Sequence, residues 1–515
     1  MQVTRRSAPH ADATDLAGST DVVGSADGAD VSGGADVSDA ADVSGGSLSS
    51  GGSLTAVMAL IGAVAGLVAS RPLSDNSFLT HLATGRLILD SGVPAENPFL
   101  FTGTSFPVPS WWWSVMLAVA EQIGGTAGIR LLTAAVGAAV GVLLVRLTRP
   151  APDERGGGLL ATLLPAALAL FCVFHFLSGR PHLAGYLLLA FVLVVWNEER
   201  SPWWIVPIFA IWVNVHGSWL YGVVVLVALG VARALDDRRV RPRDLWSVGA
   251  AALGVTIGGA LYPRAFEIVL LPTRQFGDPI EREALQAYTE WSRLSFDEPL
   301  LWALLALGVV ALAGAVQHRR PGSIAIVIGL VVMGWSGARL APIAAVSLVP
   351  FAAAALREVG SVGLPSGPWI RRSWVAAAAL VAVTIASCVA GPGYELDRYP
   401  VAAVDWLEER DLVANQTRVL SHDYVGNYLG WRYGPRANAY VDDRPDASTL
   451  VQYRKLLRLE DDWQSEVNAI DPQVVLWSTD AELTDELADD DGWVRAVQLG
   501  DYTVLCRADL ADRCR

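Results

Sequence analysis

Asp75 and His81 stand in "SDNSFLTHLATGRLILDSG", residues 74–92, directly after an apolar run. A carboxylate placed there can take a proton from an incoming hydroxyl. Further along, "SGRPH" supplies Arg180 and His182, and "NVHGSW" supplies Asn214 and His216. "LYPR" supplies Tyr262 and Arg264, and "SGARL" supplies Arg339. Guanidinium groups bind phosphate oxygens in a planar fork. An acid beside several arginines is therefore equipped for transfer of a sugar from a lipid phosphate. The hydroxyl attacks the anomeric carbon, the lipid phosphate leaves, and arginine stabilises its charge. Asp75 is the expected general base. Arg180, His182, Asn214, His216, Arg264 and Arg339 are the expected phosphate-binding group.

Each of these residues also has an ordinary reading. Arg180 or Arg339 alone is an interfacial anchor, because a guanidinium near the end of a span can reach water. His182 or His216 alone is a helix-end or packing histidine. Asp75 alone is a helix N-cap, since Ser74 and Asp75 precede a helical pattern. The chemistry needs the residues to share one face, so the elements that carry them decide the matter.

Those elements are apolar. The chain has 515 residues, 52% hydrophobic and 17% charged, against about 25% charged in an ordinary soluble chain. Apolar runs lie at about 54–70, 125–147, 157–178, 182–197, 202–214, 217–234, 245–262, 299–317, 322–336, 339–356 and 373–391. A spanning helix needs roughly 20 apolar residues, which gives an α-helical polytopic membrane protein with about eleven spans. "SWWWSVMLAVAEQIGG", Ser110–Gly125, reads as an interfacial segment, because tryptophans suit the headgroup zone. Arginines cluster at 146–155, 233–243, 319–320 and 357–372, all on one side of that arrangement. The positive-inside rule makes that side cytoplasmic. The loops 71–124 and 263–298 and everything after 391 then face outward. So do Asp75, Arg180, His182, Asn214, His216, Arg264 and Arg339.

Both polar ends differ from the middle. Residues 1–53 are a Gly/Ser/Ala/Asp repeat expected to be a disordered cytoplasmic tail. Residues 54–394 form the membrane domain, and 395–515 an extracytoplasmic α/β domain. In that domain "RVLSH", "NAYVDD", "QVVLWS" and "DYTVLCR" read as strands; "VAAVDWLEERD", "TLVQYRKLLRL" and "ELTDELA" read as helices. Cys506 and Cys514 are close enough to pair in an oxidising compartment. "YVDDRPD", Tyr440–Asp446, reads as a structural turn with Asp caps and a local ion pair, with a calcium site as the alternative. The net charge of −14 and the lack of a large basic patch argue against nucleic acid as a partner. No Cys/His cluster suggests a metal, and no cofactor is expected.

"DNSFLTHLATGRLILDSGVPAENPFLFTG" resembles the first outer loop of bacterial GT-C-like membrane glycosyltransferases of the mannosyltransferase and arabinosyltransferase type. The likeness continues through "SGRPHLAGYLLLA", "WVNVHGSWLYG", "YPRAFEIVLLP", "YTEW", "SGARLAPIAAV" and "LSHDYVGNYLGWRYGPRANAYVDDRPD". The resemblance implies a GT-C-like fold and a polyprenyl-phosphate sugar donor. It also implies a glycan, lipid or protein acceptor, a lipid bilayer around the spans, and Asp75 in the place of the family's acid. Many such enzymes carry two adjacent acids there; this chain has Asp75-Asn76, which argues against a carboxylate-held metal. The segment Ser77–Leu89 would be an interfacial helix shielding the site. Two other classes remain open: a non-catalytic envelope scaffold, and a lipid or polysaccharide transporter.

Overall fold

Helix α1, Asp42–Ala69, carries the first apolar run, and its apolar part begins at Gly52. The computed structural model describes residues 42–103, 105–150, 158–277, 279, 292–359, 363–364, 367–414, 416–444 and 447–514. Most of the expected tail, and "YTEW", lie outside them. Residues 42–53, expected in the tail, are helical instead. A helix already nucleated by an apolar run gains a hydrogen bond for each residue it adds.

The described chain is mostly helical with one small sheet. After α1 come α2 (Asn76–Ser91), α3 (Trp111–Leu147), α4 (Leu159–Phe174), α5 (His182–Asn197), α6 (Ile205–Val215), α7 (Trp219–Asp237) and α8 (Pro242–Leu261). Then follow α9 (Glu267–Gly277), α10 (Pro299–Gln317), α11 (Pro321–Trp335), α12 (Ala341–Arg357) and α13 (Pro368–Ala390). Seven of the described helices are long and apolar enough to cross a membrane. Four shorter apolar helices, Leu159–Phe174, His182–Asn197, Pro202–Val215 and Pro321–Trp335, occupy the remaining runs. Helix α3 is two arms. Gly124 and Gly125 leave helical geometry, and Gly125 takes φ +58°, a conformation that costs glycine little. The chain reverses so sharply there that Gly128 lies against the Ala120 carbonyl. The first arm packs on α2, and the second runs along α1.

Side-chain contacts join the helix ends carrying the arginine clusters. Arg146 forks onto Glu198, which also holds Arg200. Glu199 pairs with Arg233 and Arg241, and Asp236 accepts the N–H groups of Gly322 and Ser323. Arg357 donates to the Thr148 carbonyl. One end of the helix array is thus stitched by ion pairs.

The C-terminal segment holds α14 (Val401–Glu409), β1 (Val419–Ser421), α15 (Asp423–Tyr433), α16 (Ala447–Arg458), α17 (Trp463–Ile470), β2 (Val474–Ser478), α18 (Glu482–Ala488), β3 (Trp493–Leu499) and β4 (Tyr502–Arg507). The sheet order is β1-β2-β4-β3, with β1 and β2 parallel and the other pairs antiparallel. Cys506 and Cys514 form a disulfide. "NAYVDD" is not a strand: only Ala439 bridges, to Val419 on one side and Leu100 on the other. Its other partner is the first loop. Ala439 N–H donates to the Phe99 carbonyl, and Phe101 N–H donates to the Ala439 carbonyl. Residues 99–101 therefore pair with Ala439, which bridges in turn to the edge strand β1, and residues 49–515 form one compact unit.

Candidate functional site

Asp75 caps α2. Its Oδ1 accepts the Phe78 N–H at 3.4 Å. The same oxygen accepts Arg180 Nε at 2.5 Å, and both side chains are largely buried. Arg180 reaches it from the α4–α5 connection. That turn is fixed where Trp113 Nε1 donates to the Gly179 carbonyl at 2.7 Å. Gly179 is required there, because a Cβ would lie 2.6 Å from the Phe78 ring. Asp75 thus both caps α2 and pairs with Arg180.

A basic ring sits beside this pair. The rings of His182 and His216 are 4.6 Å apart. His216 Nδ1 accepts the Ser218 N–H at 3.2 Å and meets the Ser218 hydroxyl at 2.7 Å, so a neutral ring carries its proton on Nε2. His182 is 6% exposed, and neither ring nitrogen has a partner among the described residues. Arg339, Arg180 and His81 act electrostatically on His182, and Arg339 also acts on His216. Buried polar groups are nearly always hydrogen-bonded, so an imidazole left open inside a basic ring is a place for an anionic acceptor.

The structure brings Asp75, Arg180, His182, His216 and Arg339 into one neighbourhood. It sets Asn214 and Arg264 to other work. Asn214 Nδ2 donates to the Ala210 and Gly258 carbonyls, and its Oδ1 accepts Trp111 Nε1, locking α3, α6 and α8 together. Arg264 donates to the Ala95 and Phe106 carbonyls and pairs with Glu267, pinning the first loop to the turn after α8.

Sequence reasoning missed what the C-terminal segment contributes. Ser77 Oγ donates to Asp443 Oδ2 at 2.5 Å, and Asn76 Nδ2 reaches Asp443 Oδ1 at 3.4 Å. Asn427, fully buried, accepts from Thr80 Oγ1 at 2.6 Å and from the Asp443 N–H at 2.9 Å, and donates to Asn76 Oδ1 at 2.8 Å. Burial pushes the Asp443 carboxyl up from its ordinary value, against the hydrogen bonds of Ser77 and Asn427 and the charge of Arg180. Asp423 is pushed up to about 6, first by burial and then by the charge of Asp443. The buried Tyr399 hydroxyl, unpartnered among the described residues, lies within the fields of Asp75, Asp443 and Arg180. The local ion pair expected in "YVDDRPD" is present between Asp442 and Arg444; Asp446 lies outside the described residues. Among the described residues, no group of three His, Cys, Asp or Glu side chains could hold a metal ion.

His81 bonds Ser114 Oγ through Nδ1 at 3.1 Å. Burial, followed by the charges of Arg444 and Arg180, holds its imidazole down to about 3. The unfolded chain then takes up this proton near 6.5, well before the folded one does. Stability from His81 is therefore present above pH 6.5 and lost as the pH falls toward 3. The loss is at most about 1.4 kcal/mol per pH unit for one proton. The raised Asp423 works in the opposite direction, its contribution fading as pH rises through about 6. The expected result is that the difference in thermal midpoint between pH 7.5 and pH 5 shrinks in His81→Gln. An unchanged difference would assign the acid lability elsewhere.

No family model matches this chain, and no curated protein matches it.

Proposed function

We propose that the chain is a GT-C-type membrane glycosyltransferase. It moves a sugar from a polyprenyl-phosphate donor to a glycan, lipid or protein acceptor on the outer face of the cell membrane. The observation that carries the reading is the pair of Asp75 with Arg180, beside the His182–His216 contact on which the charges of Arg180 and Arg339 act, residues drawn from four separate connections. In this reading Arg180 orients Asp75, which takes the acceptor hydroxyl's proton. The leaving phosphate is received by the charge of Arg339 and the N–H groups of the His182 and His216 imidazoles, which offset the negative charge that develops. About eleven spans carry the site, with the N-terminus cytoplasmic and the C-terminal domain extracytoplasmic. The arginine-rich end supports that orientation. The Cys506–Cys514 disulfide supports it as well, since disulfides persist in oxidising compartments.

A panel of polyprenyl-phosphate-linked sugars, given to the full-length protein in nanodiscs, tests the reading through release of free polyprenyl phosphate. Release is expected with at least one donor, and Arg339→Lys should lower it, because lysine keeps the charge but loses the planar fork. Folded protein that releases none from any donor defeats the proposal. A reporter active only in the cytoplasm, fused after Arg515, should stay silent; strong signal would invert the orientation.

One observation favours a second reading. A carboxylate that caps a helix and pairs with an arginine does what a structural carboxylate does, so an envelope scaffold docked through α2 and the C-terminal domain also fits.

A further inference from the structure

Tyr399 stands just before α14, near the start of the C-terminal segment. Backbone pairing brings this stretch beside the first loop. Leu73 N–H donates to the Gly393 carbonyl, and Glu395 N–H donates to the Leu73 carbonyl, so residues 393–395 run alongside the chain two residues before Asp75. The Tyr502 hydroxyl donates to the Arg398 carbonyl at 2.9 Å, which fixes the next peptide. The Tyr399 ring stacks on Tyr428 of α15, with centroids 5.4 Å apart and planes 24° apart. Backbone and ring are both held, and together they set where the hydroxyl lies.

Nothing in the fold accounts for that hydroxyl. Tyr399 is 5% exposed, and its oxygen has no hydrogen-bond partner among the described residues. Its neighbours on α15 are satisfied: the Tyr424 hydroxyl meets that of Tyr502 at 2.9 Å, and the Tyr428 hydroxyl accepts from Arg432 Nη1 at 3.1 Å. A buried hydroxyl left unbonded keeps its full desolvation cost, and buried polar groups are nearly always partnered. Burial raises the Tyr399 phenol above its ordinary value, with the charges of Arg398, Asp75, Asp443 and Arg180 also acting on it. It therefore stays a neutral group able both to donate and to accept. We infer that the Tyr399 hydroxyl binds a neutral, polyhydroxylated acceptor and holds it beside Asp75. The phenol donates to one oxygen of the acceptor while another hydroxyl of the same molecule faces the carboxylate. Guanidinium and carboxylate charges both act there, which suits an uncharged hydroxyl better than an anion or a cation. The inference rests on the sugar-transfer reading and narrows its acceptor.

The test follows release of polyprenyl phosphate by the full-length protein in nanodiscs, with a donor it turns over and a panel of neutral methyl hexosides and methyl pentosides as acceptors. At least one glycoside is expected to raise release. Tyr399→Phe keeps the ring and its stack on Tyr428 and removes only the hydroxyl. It should raise the KM for that glycoside about tenfold, the worth of one hydrogen bond. The KM for the donor should not change, and the thermal midpoint should not fall. Tyr428→Phe, which loses only the bond from Arg432, should leave both KM values as they are. An unchanged glycoside KM in Tyr399→Phe, or a loss shared equally by donor and glycoside, would overturn the inference and leave the hydroxyl as a seat for buried water. A lowered thermal midpoint would overturn it as well, since the hydroxyl would then have its partner within the folded protein. Donor turnover that no glycoside raises would sink the inference while the sugar-transfer reading stood. Wild-type protein that releases nothing from any donor defeats that reading and this inference together.

Discussion

Asp75→Asn is expected to abolish most sugar transfer while leaving the protein folded. Loss of a general base costs about 10²–10⁴-fold in rate. Asparagine caps a helix about as well as aspartate, so the bond from the Phe78 N–H survives the change. The pair with Arg180 does not survive as an ion pair, which complicates a single variant. Arg180→Gln supplies the comparison. If Asp75 acts only by holding Arg180, the two variants and their double should lose the same activity. If Asp75 takes the proton itself, Asp75→Asn should cost far more than Arg180→Gln, and its rate should lose the pH dependence of the wild type. A transfer rate in Asp75→Asn equal to wild type would remove Asp75 from catalysis. The scaffold reading would then gain.

The second large effect concerns stability. Arg444 and Asp442 form a buried ion pair, with side-chain exposures of 6% and 0%. Arg444 Nε and Nη2 both donate to Asp442 Oδ2, Nη1 donates to Thr84 Oγ1 at 2.8 Å, and the guanidinium lies 3.9 Å from the centre of the Phe99 ring. Arg444→Met leaves the Asp442 charge buried without its partner. Removing one member of such a pair costs about 3–5 kcal/mol. The expected readout is a lowered thermal midpoint for the full-length protein in detergent. Asp442→Ala combined with Arg444→Met should recover part of the loss, because it removes the stranded charge. A single variant as stable as wild type would mean that water reaches Asp442 and that the pair is not a closed one.

Much of the helical part was legible because its signals are local. Apolar runs, arginine at span ends and the Asp75 cap each need only a few neighbouring residues. The strands at Val419, Val474 and Tyr502 were legible for the same reason. Helix α15 was not. Its sequence, "DYVGNYLGWRY", carries two glycines that lower helix propensity. The structure shows why one of them is needed: a Cβ at Gly426 would lie 1.8 Å from the Val441 carbonyl oxygen. Strand β3 follows an acidic run and carries a bulge between Arg495 and Val497, which breaks the alternation a reader would look for. Asp443 was missed because its partners Asn76 and Ser77 are more than 360 residues away in the chain. Asn214 and Arg264 were polar residues at helix ends, and only the packed neighbours reveal that their donors go to carbonyls.

The strip of backbone at residues 99–101 that pairs with Ala439, itself bridged to β1, has a consequence for how the chain is made. It leaves the ribosome about 340 residues before Ala439, its hydrogen-bonding partner. At roughly 5–20 residues per second, that is an interval of roughly 20–70 s. During that time Phe99, Phe101 and the polar groups of α2 have no C-terminal partner. The nascent protein thus carries an unfinished edge for most of its synthesis, in the state most exposed to aggregation and proteolysis. A chain truncated before residue 439 would keep that edge permanently, and residues 395–515 made alone would lack the strip that pairs with Ala439. The boundary at which polar sequence begins is therefore crossed by backbone and side-chain hydrogen bonds that form only late in synthesis.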